Sequence, residues 1–112
     1  MQIVRPLRET CPDTNTCPTI YLSDRQTLVV QGYVVDCPDA REGQATVRIP
    51  SSLAPEFSRR GSTVAARRVG RDALFVTGRP VTDPAALEQL QLPAGEAAVE
   101  VELVAMPELE EA

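Results

Sequence analysis

Two stretches of this chain match each other when laid side by side, and the match restricts the fold more than any single motif does. Leu28-Val29-Val30-Gln31-Gly32-Tyr33-Val34-Val35 lies over Leu74-Phe75-Val76-Thr77-Gly78-Arg79-Pro80-Val81. Upstream, Arg25 falls on Arg71; downstream, Pro38 falls on Pro84 and Ala40 on Ala86. A short insertion in the second copy around residues 87–92 then sets Gly43 on Gly95, Ala45 on Ala97, Val47 on Val99, Pro55 on Pro107 and Glu56 on Glu108. Matches kept in order, with both glycines and both Pro-Glu pairs, are the mark of an internal duplication. The expectation is a single domain of 112 residues, residues 18–57 forming a first repeat and 64–109 a second.

Each half reads as β structure. In the first, Thr19-Ile20-Tyr21-Leu22 is a short β-prone run, Ser23-Asp24-Arg25-Gln26 a polar turn, and residues 27–35 a longer Val-rich strand. In the second, residues 63–69 lead through Gly70-Arg71-Asp72 into residues 73–81, the same hairpin design. Gly32 and Gly78 interrupt both long strands at one place, which predicts a bend or a close backbone approach at equivalent positions. A third strand follows in each half. Val47 and Ile49 alternate with Arg48 in residues 44–49, and Val99, Val101 and Leu103 alternate with Glu100 and Glu102 in residues 97–103, so one face is expected buried and the other wet.

Two short helices complete the reading. Residues 51–57 could open a helix capped by serine, with Pro55 in its first turn. Asp83-Pro84-Ala85-Ala86-Leu87-Glu88-Gln89-Leu90 has a capping residue, proline at the first position and then helix formers. The predicted fold is mainly β: two repeated three-stranded units, about six strands in all, closing on one another as a small sandwich or partly closed barrel, with one or two short helices.

Composition restricts function. Aromatics make up 4% of the chain and Trp is absent, so the core must be aliphatic. No apolar run is long enough to span a bilayer, and Met1-Gln2-Ile3-Val4-Arg5-Pro6 lacks the apolar stretch of a signal peptide, which places the chain in the cytoplasm without membrane contact. All 11 basic residues are Arg, a bias that goes with a genome rich in G and C. The net charge of −5 argues against nucleic acid as a direct partner. Charge is nevertheless uneven: Arg59, Arg60, Arg67, Arg68 and Arg71 cluster mid-chain, and no basic residue follows Arg79. Such a dipolar surface suits recognition of a partner or a second copy; for the Arg cluster itself, a soluble face balancing the acidic end is preferred to binding of an anion or an acidic partner. Arg67 and Arg68, adjacent on a strand, are expected to point to opposite faces.

Cys11, Cys17 and Cys37 are the residues with reactive chemistry of their own. With no His in the chain, Ser-His and Cys-His catalytic pairs and His-containing zinc sites are excluded. Three thiols leave a tetrahedral zinc site one ligand short, which Asp13, Asp36 or Asp39 could supply; the phrases Cys11-Pro12-Asp13 and Cys37-Pro38-Asp39 are alike. The spacing from Cys11 to Cys17 is wider than that of the usual metal-binding pair. Plain thiols account for the same residues, Cys17 buried as a small hydrophobe, or Cys11 and Cys17 as loop thiols that oxidise to a disulfide in air. Neither a phosphate-binding glycine loop nor a pair of carboxylates placed for acid-base work is present, so the chain reads as a non-enzymatic protein.

From Cys17 to Pro50 the sequence resembles the BldB-like group of small actinobacterial proteins, often encoded beside helix-turn-helix regulators. The resemblance is carried by Cys17 opening an apolar strand, the turn Ser23-Asp24-Arg25-Gln26, the strand Leu28-Val29-Val30-Gln31-Gly32, the loop with Asp36, Pro38 and Asp39, and Val47-Arg48-Ile49-Pro50 leading to Phe57. It covers about a third of the chain and departs from the group in lacking its Trp residues, in carrying Gln31-Gly32 where the group has a charged run, and in length. The resemblance implies a small β-sheet protein that self-associates and acts through a partner regulator.

The functional expectation is thus a binding or regulatory accessory protein acting through protein–protein contacts at an exposed strand edge, as a homodimer or with another protein such as a transcriptional regulator. Pairing of the strand bearing Arg48 with that bearing Glu100 and Glu102 in a second copy would give a salt-sensitive dimer. The alternative is a small thiol or metal protein using Cys11, Cys17 and Cys37 as a redox or zinc site.

Overall fold

A computed structural model describes residues 3–9, 18–35, 43–54, 57, 65–92 and 94–102. They form seven strands in one antiparallel sheet: β1 (Ile3–Glu9), β2 (Thr19–Ser23), β3 (Leu28–Val35), β4 (Ala45–Pro50), β5 (Ala65–Val69), β6 (Ala73–Pro80) and β7 (Glu96–Val101). A single turn of 3-10 helix (Ser51–Leu53) follows β4, and helix α1 (Pro84–Leu90) joins β6 to β7. Local chemistry sets the hairpins. In the β2–β3 turn the Ser23 hydroxyl accepts from the backbone N–H groups of Arg25 and Thr27, both at 3.2 Å, while Gln26 takes the left-handed φ of 59°. Gly70 supplies the left-handed residue of the β5–β6 turn, with φ of 64°.

The sheet closes on itself. β3 pairs with both β4 and β7, and β6 pairs with both β4 and β7, so these four strands form a ring, from which β2 and β1 extend beside β3 and β5 extends beside β6. The fold is therefore mainly β and barrel-like, as the repeat pattern leads one to expect. The registers on the two sides of the ring correspond. Leu28, Val30 and Gly32 of β3 stand opposite Val101, Val99 and Ala97 of β7. Leu74, Val76 and Gly78 of β6 stand opposite Ile49, Val47 and Ala45 of β4 in the same order.

Gly32 and Gly78 mark where the ring is tightest. A Cβ on Gly32 would lie 2.5 Å from the Arg48 carbonyl oxygen and 2.9 Å from Ile49 Cγ2. On Gly78 it would lie 2.6 Å from the Glu100 carbonyl oxygen and 2.9 Å from Val101 Cγ1. Each glycine lets the strand paired just beyond it, β4 for Gly32 and β7 for Gly78, pass at a distance that no side chain permits.

Alternation along the ring strands fills the interior with Leu28, Val30, Val47, Ile49, Leu74, Val76, Val99 and Val101, all buried, together with Ile20 from β2. Leu53, Ala54 and Phe57 after β4 join this cluster. A second, smaller cluster lies outside the ring, where α1 sets Ala86 and Leu90 against Tyr21, Val29, Val81 and Ala98. The helix starts as its sequence requires: Asp83 Oδ1 accepts from the N–H groups of Ala85 at 2.9 Å and Ala86 at 3.4 Å, and Pro84 needs no partner for a missing N–H.

Four expectations need correction. The described strands number seven rather than six, because Ile3–Glu9 is an edge strand despite Pro6; the pairing with β2 shifts register between Pro6 and Arg8, where a missing N–H is tolerated. The segment from Ser51 is one 3-10 turn with Pro50 at its N-cap and no serine cap, and Pro55 lies outside the described residues. Glu100 is buried at 7% exposure instead of lying on a wet face, whereas Glu102 is exposed. Strands β4 and β7, which carry Arg48 and Glu100, are paired on both sides within the ring, so they offer no edge to a second copy; the described path ends instead at β1 and β5.

Candidate functional site: an arginine–aromatic row

Register places one outward side chain from each of four strands in a line. Arg67 of β5 is opposite Phe75 of β6, Phe75 is opposite Arg48 of β4, and Arg48 is opposite Tyr33 of β3. The result is a row in which cation and ring alternate. The Arg48 guanidinium carbon sits 5.3 Å from the Tyr33 ring centroid, and that of Arg67 sits 5.7 Å from the Phe75 centroid. Each contact is worth about 0.5–1 kcal/mol at an exposed site. Its geometric effect is to hold each guanidinium beside a ring of the neighbouring strand.

The row is accessible. Arg48 and Arg67 are exposed, and Tyr33 at 42% and Val34 at 59% are the exposed large hydrophobic residues of the described chain. Beside them a groove of about 300 Å³ is lined by Tyr33, Arg48, Ile49, Pro50, Asp72 and Ala73. Among the described residues Arg48 has no carboxylate partner. On the next outward row, Thr46 and Thr77 satisfy each other through hydroxyls 2.7 Å apart.

The opposite side of the ring carries the corresponding row with different chemistry. There Tyr21 is opposite Val29, Val29 is opposite Glu100, and Glu100 is opposite Arg79. Glu100 accepts from Arg79 Nη2 at 3.2 Å and from the Thr27 hydroxyl at 2.5 Å, with Arg25 Nη1 3.8 Å away. Next to it, the Tyr21 hydroxyl donates to Gln31 Oε1 at 3.0 Å, and Gln31 Nε2 donates to Glu96 at 3.3 Å. Partial burial raises the Glu96 pKa above the ordinary glutamate value, opposed by the bond from Gln31. Helix α1 packs on this row, while the position of Glu100 is taken on the other row by Arg48.

Cys11, Cys17 and Cys37, with Asp13, Asp36 and Asp39, lie outside the described residues, as do Arg59 and Arg60. Among the described residues no group of three or more His, Cys, Asp or Glu side chains could hold a metal ion. Of the described arginines, Arg67 joins the row, while Arg68 reaches back to donate to the Arg71 carbonyl at 3.1 Å. Sequence reading did not find the row, although its signal was present: Arg48, Phe75 and Arg67 all occupy outward positions of alternating strands, and only the pairing register shows that they are neighbours. Comparison with protein-family models, with curated proteins and with solved structures finds no match to this chain.

Proposed function

We propose that this is a non-enzymatic binding or regulatory accessory protein that acts through protein–protein contacts, and that the Tyr33–Arg48–Phe75–Arg67 row with the adjoining end strand β5 is its contact face. The observation that carries the reading is the row itself: four strands align two guanidinium groups and two rings on an accessible face, a composition enriched where proteins bind one another. β5 ends the described strand path, which makes it the natural place for an added strand. The resemblance to the BldB-like group points to a transcriptional regulator as the partner and to an actinobacterial cytoplasm as the setting. Among the described residues no helix is long and apolar enough to cross a membrane.

The same reading includes an internal duplication. Support comes from the corresponding registers of the two ladders and from the parallel surroundings of Gly32 and Gly78. In a duplicated scaffold whose two rows have diverged, the row with exposed Tyr33, Arg48 and Arg67 is the one that a partner can reach.

Affinity capture from the native cytosol with the wild-type chain and with Tyr33→Ala tests the reading, alongside light scattering across protein concentration and ionic strength. Capture of one protein by the wild type, reduced by Tyr33→Ala, is expected. A strict monomer that captures nothing removes the reading.

A further inference from the structure

Building on that protein-binding reading, we infer that the occupant of the groove beside the row is a second copy of this chain, in a two-fold dimer where Arg48 of each copy pairs with Asp72 of the other.

Two opposite charges line this groove without meeting. Arg48 and Asp72 both border it, and both are exposed. They do not pair with one another, and among the described residues neither has another ion-pair partner. Glu96 stands across Tyr33 from Arg48, but its carboxylate accepts from Gln31 Nε2 at 3.3 Å. On the opposite row the chain closes its own ion pair, since Glu100, in the place of Arg48, meets Arg79 at 3.2 Å. In the groove both signs are left without a counterpart.

The backbone beneath each charge is fixed. Arg48 stacks on Tyr33 at 5.3 Å from its ring centroid, on a strand paired with β3 on one side and β6 on the other. Asp72 follows the left-handed Gly70 in the β5–β6 turn, and its carbonyl oxygen accepts from the Ser51 N–H at 2.8 Å, which ties the turn to the end of β4. Little backbone freedom is therefore lost when the two charges find partners.

Symmetry selects the occupant. In a two-fold contact the same patch serves both copies, so it must complement itself. A patch with one cation and one anion does so. Once Arg48 of one copy reaches Asp72 of the other, the axis sets the reverse pair in place, whatever the spacing of the two residues within a copy. An unrelated protein would have to offer both charges at a matching separation, a condition that a second copy meets by construction. Tyr33, 42% exposed, gives the contact an apolar wall together with Pro50 and Ala73. The contact uses outward side chains of β4 and of the β5–β6 turn, not a strand edge, since β4 is paired on both sides. Its apolar area is small and its ion pairs are open to solvent, so the dimer is weak and salt-sensitive.

Sedimentation velocity of the full chain across concentration, at low and high salt, tests the inference with Arg48→Asp, Asp72→Arg and a mixture of the two. The wild type is expected to dimerise more weakly at high salt. Each single reversal sets like charges together at both symmetric contacts and is expected to raise the dimer dissociation constant about tenfold. Mixing the two variants sets an acidic patch against a basic one and re-forms both pairs, so a heterodimer is expected from two proteins that are monomeric alone. A mixture that associates no better than either variant overturns the inference, as does a wild-type dimer that neither reversal weakens. Unchanged urea midpoints show that the variants keep their fold. Dilution of isotopically labelled wild-type protein needs no variant: amide shifts at Tyr33, Arg48, Asp72 and Ala73 are expected, and shifts confined to β1, β5 or α1 overturn the inference. A wild type that stays monomeric in low salt yet captures a cytosolic protein through Tyr33 sinks the dimer and leaves the protein-binding reading standing, whereas a monomer that captures nothing sinks both.

Discussion

Arg48 stacks on Tyr33 at the place where, across the ring, Glu100 binds Arg79. One backbone arrangement thus carries a cation on a ring on one side and an ion pair with a buried carboxylate on the other. The first is left accessible, and beside the second α1 packs Ala86 and Leu90 on Tyr21 and Val29 of the same row. The following outcomes are expected from the same geometry.

Glu100 and Arg79 should respond unequally to removal. Glu100 is 7% exposed and accepts from Thr27 as well as from Arg79, whereas the Arg79 side chain is 70% exposed. Glu100→Ala leaves the part-buried Thr27 hydroxyl without its carboxylate acceptor and empties a buried position, and is expected to cost about 1–3 kcal/mol. Arg79→Ala is expected to cost less than about 1 kcal/mol, because a solvated partner is readily replaced by water. Urea denaturation of the two variants measures the difference; equal losses would show that the carboxylate is not held as described.

Replacing either ring glycine by alanine should destabilise the protein by a similar amount. In both cases the new Cβ meets a carbonyl oxygen of the neighbouring paired strand, at 2.5 Å for Gly32 and 2.6 Å for Gly78, and backbone cannot swing aside as a side chain does. Overpacking of this kind costs about 1–3 kcal/mol. Denaturant midpoints falling with unchanged m-values are the expected signature, and a neutral Gly78→Ala would contradict the close approach of β7.

Glu96 should make stability depend on pH in a defined direction. Its folded pKa is raised by burial, so the folded state holds the proton more tightly than the unfolded state, whose carboxyl titrates in the ordinary glutamate range. The protonated carboxyl is accommodated at low pH, and a penalty appears as pH rises from the unfolded value through the raised folded one. Glu96→Gln removes that penalty while keeping an acceptor for Gln31. Its unfolding free energy should exceed that of the wild type at neutral pH and converge with it in acid; the reverse order would show that Glu96 is stabilised as the anion.

Substituting Cys11, Cys17 and Cys37 together by Ser should leave the urea midpoint unchanged, since the ring strands β3, β4, β6 and β7 contain no cysteine. Elemental analysis of wild-type protein purified under reducing conditions is the companion measurement. One equivalent of zinc, lost in the triple variant together with cooperative unfolding, would replace the binding-protein reading by the thiol–metal one.

The strands, the two hairpins and the helix were legible because each depends on residues close in sequence. Val47 and Ile49 alternating with Arg48 announce a strand with one buried face, and Asp83-Pro84 announces a helix start, whatever surrounds them. Glu100 misleads for the opposite reason. By alternation it belongs on a solvated face, yet Thr27 lies 73 residues away in the chain and supplies the hydroxyl that makes burial tolerable. Pro6 likewise hides β1 from sequence reading, since a proline is compatible with a strand only if that strand lies at an edge.

What the sequence by itself determined was strands β2 to β7, helix α1, their alternating faces and the placement of Gly32 and Gly78 on corresponding long strands. Only the tertiary structure decided how those elements pair. Ring closure pairs β4 and β7 on both sides, removes them as binding edges, and brings Tyr33, Arg48, Phe75 and Arg67 into one line from four separate strands. The physical reason is register. Alternation says which face a side chain takes, but its neighbour across a ladder follows from how distant strands are set against one another, and shifting a strand by one residue would turn every outward residue inward. In this ring the shared interior of Val, Leu and Ile sets that register, and the chemistry of the outer rows follows from it.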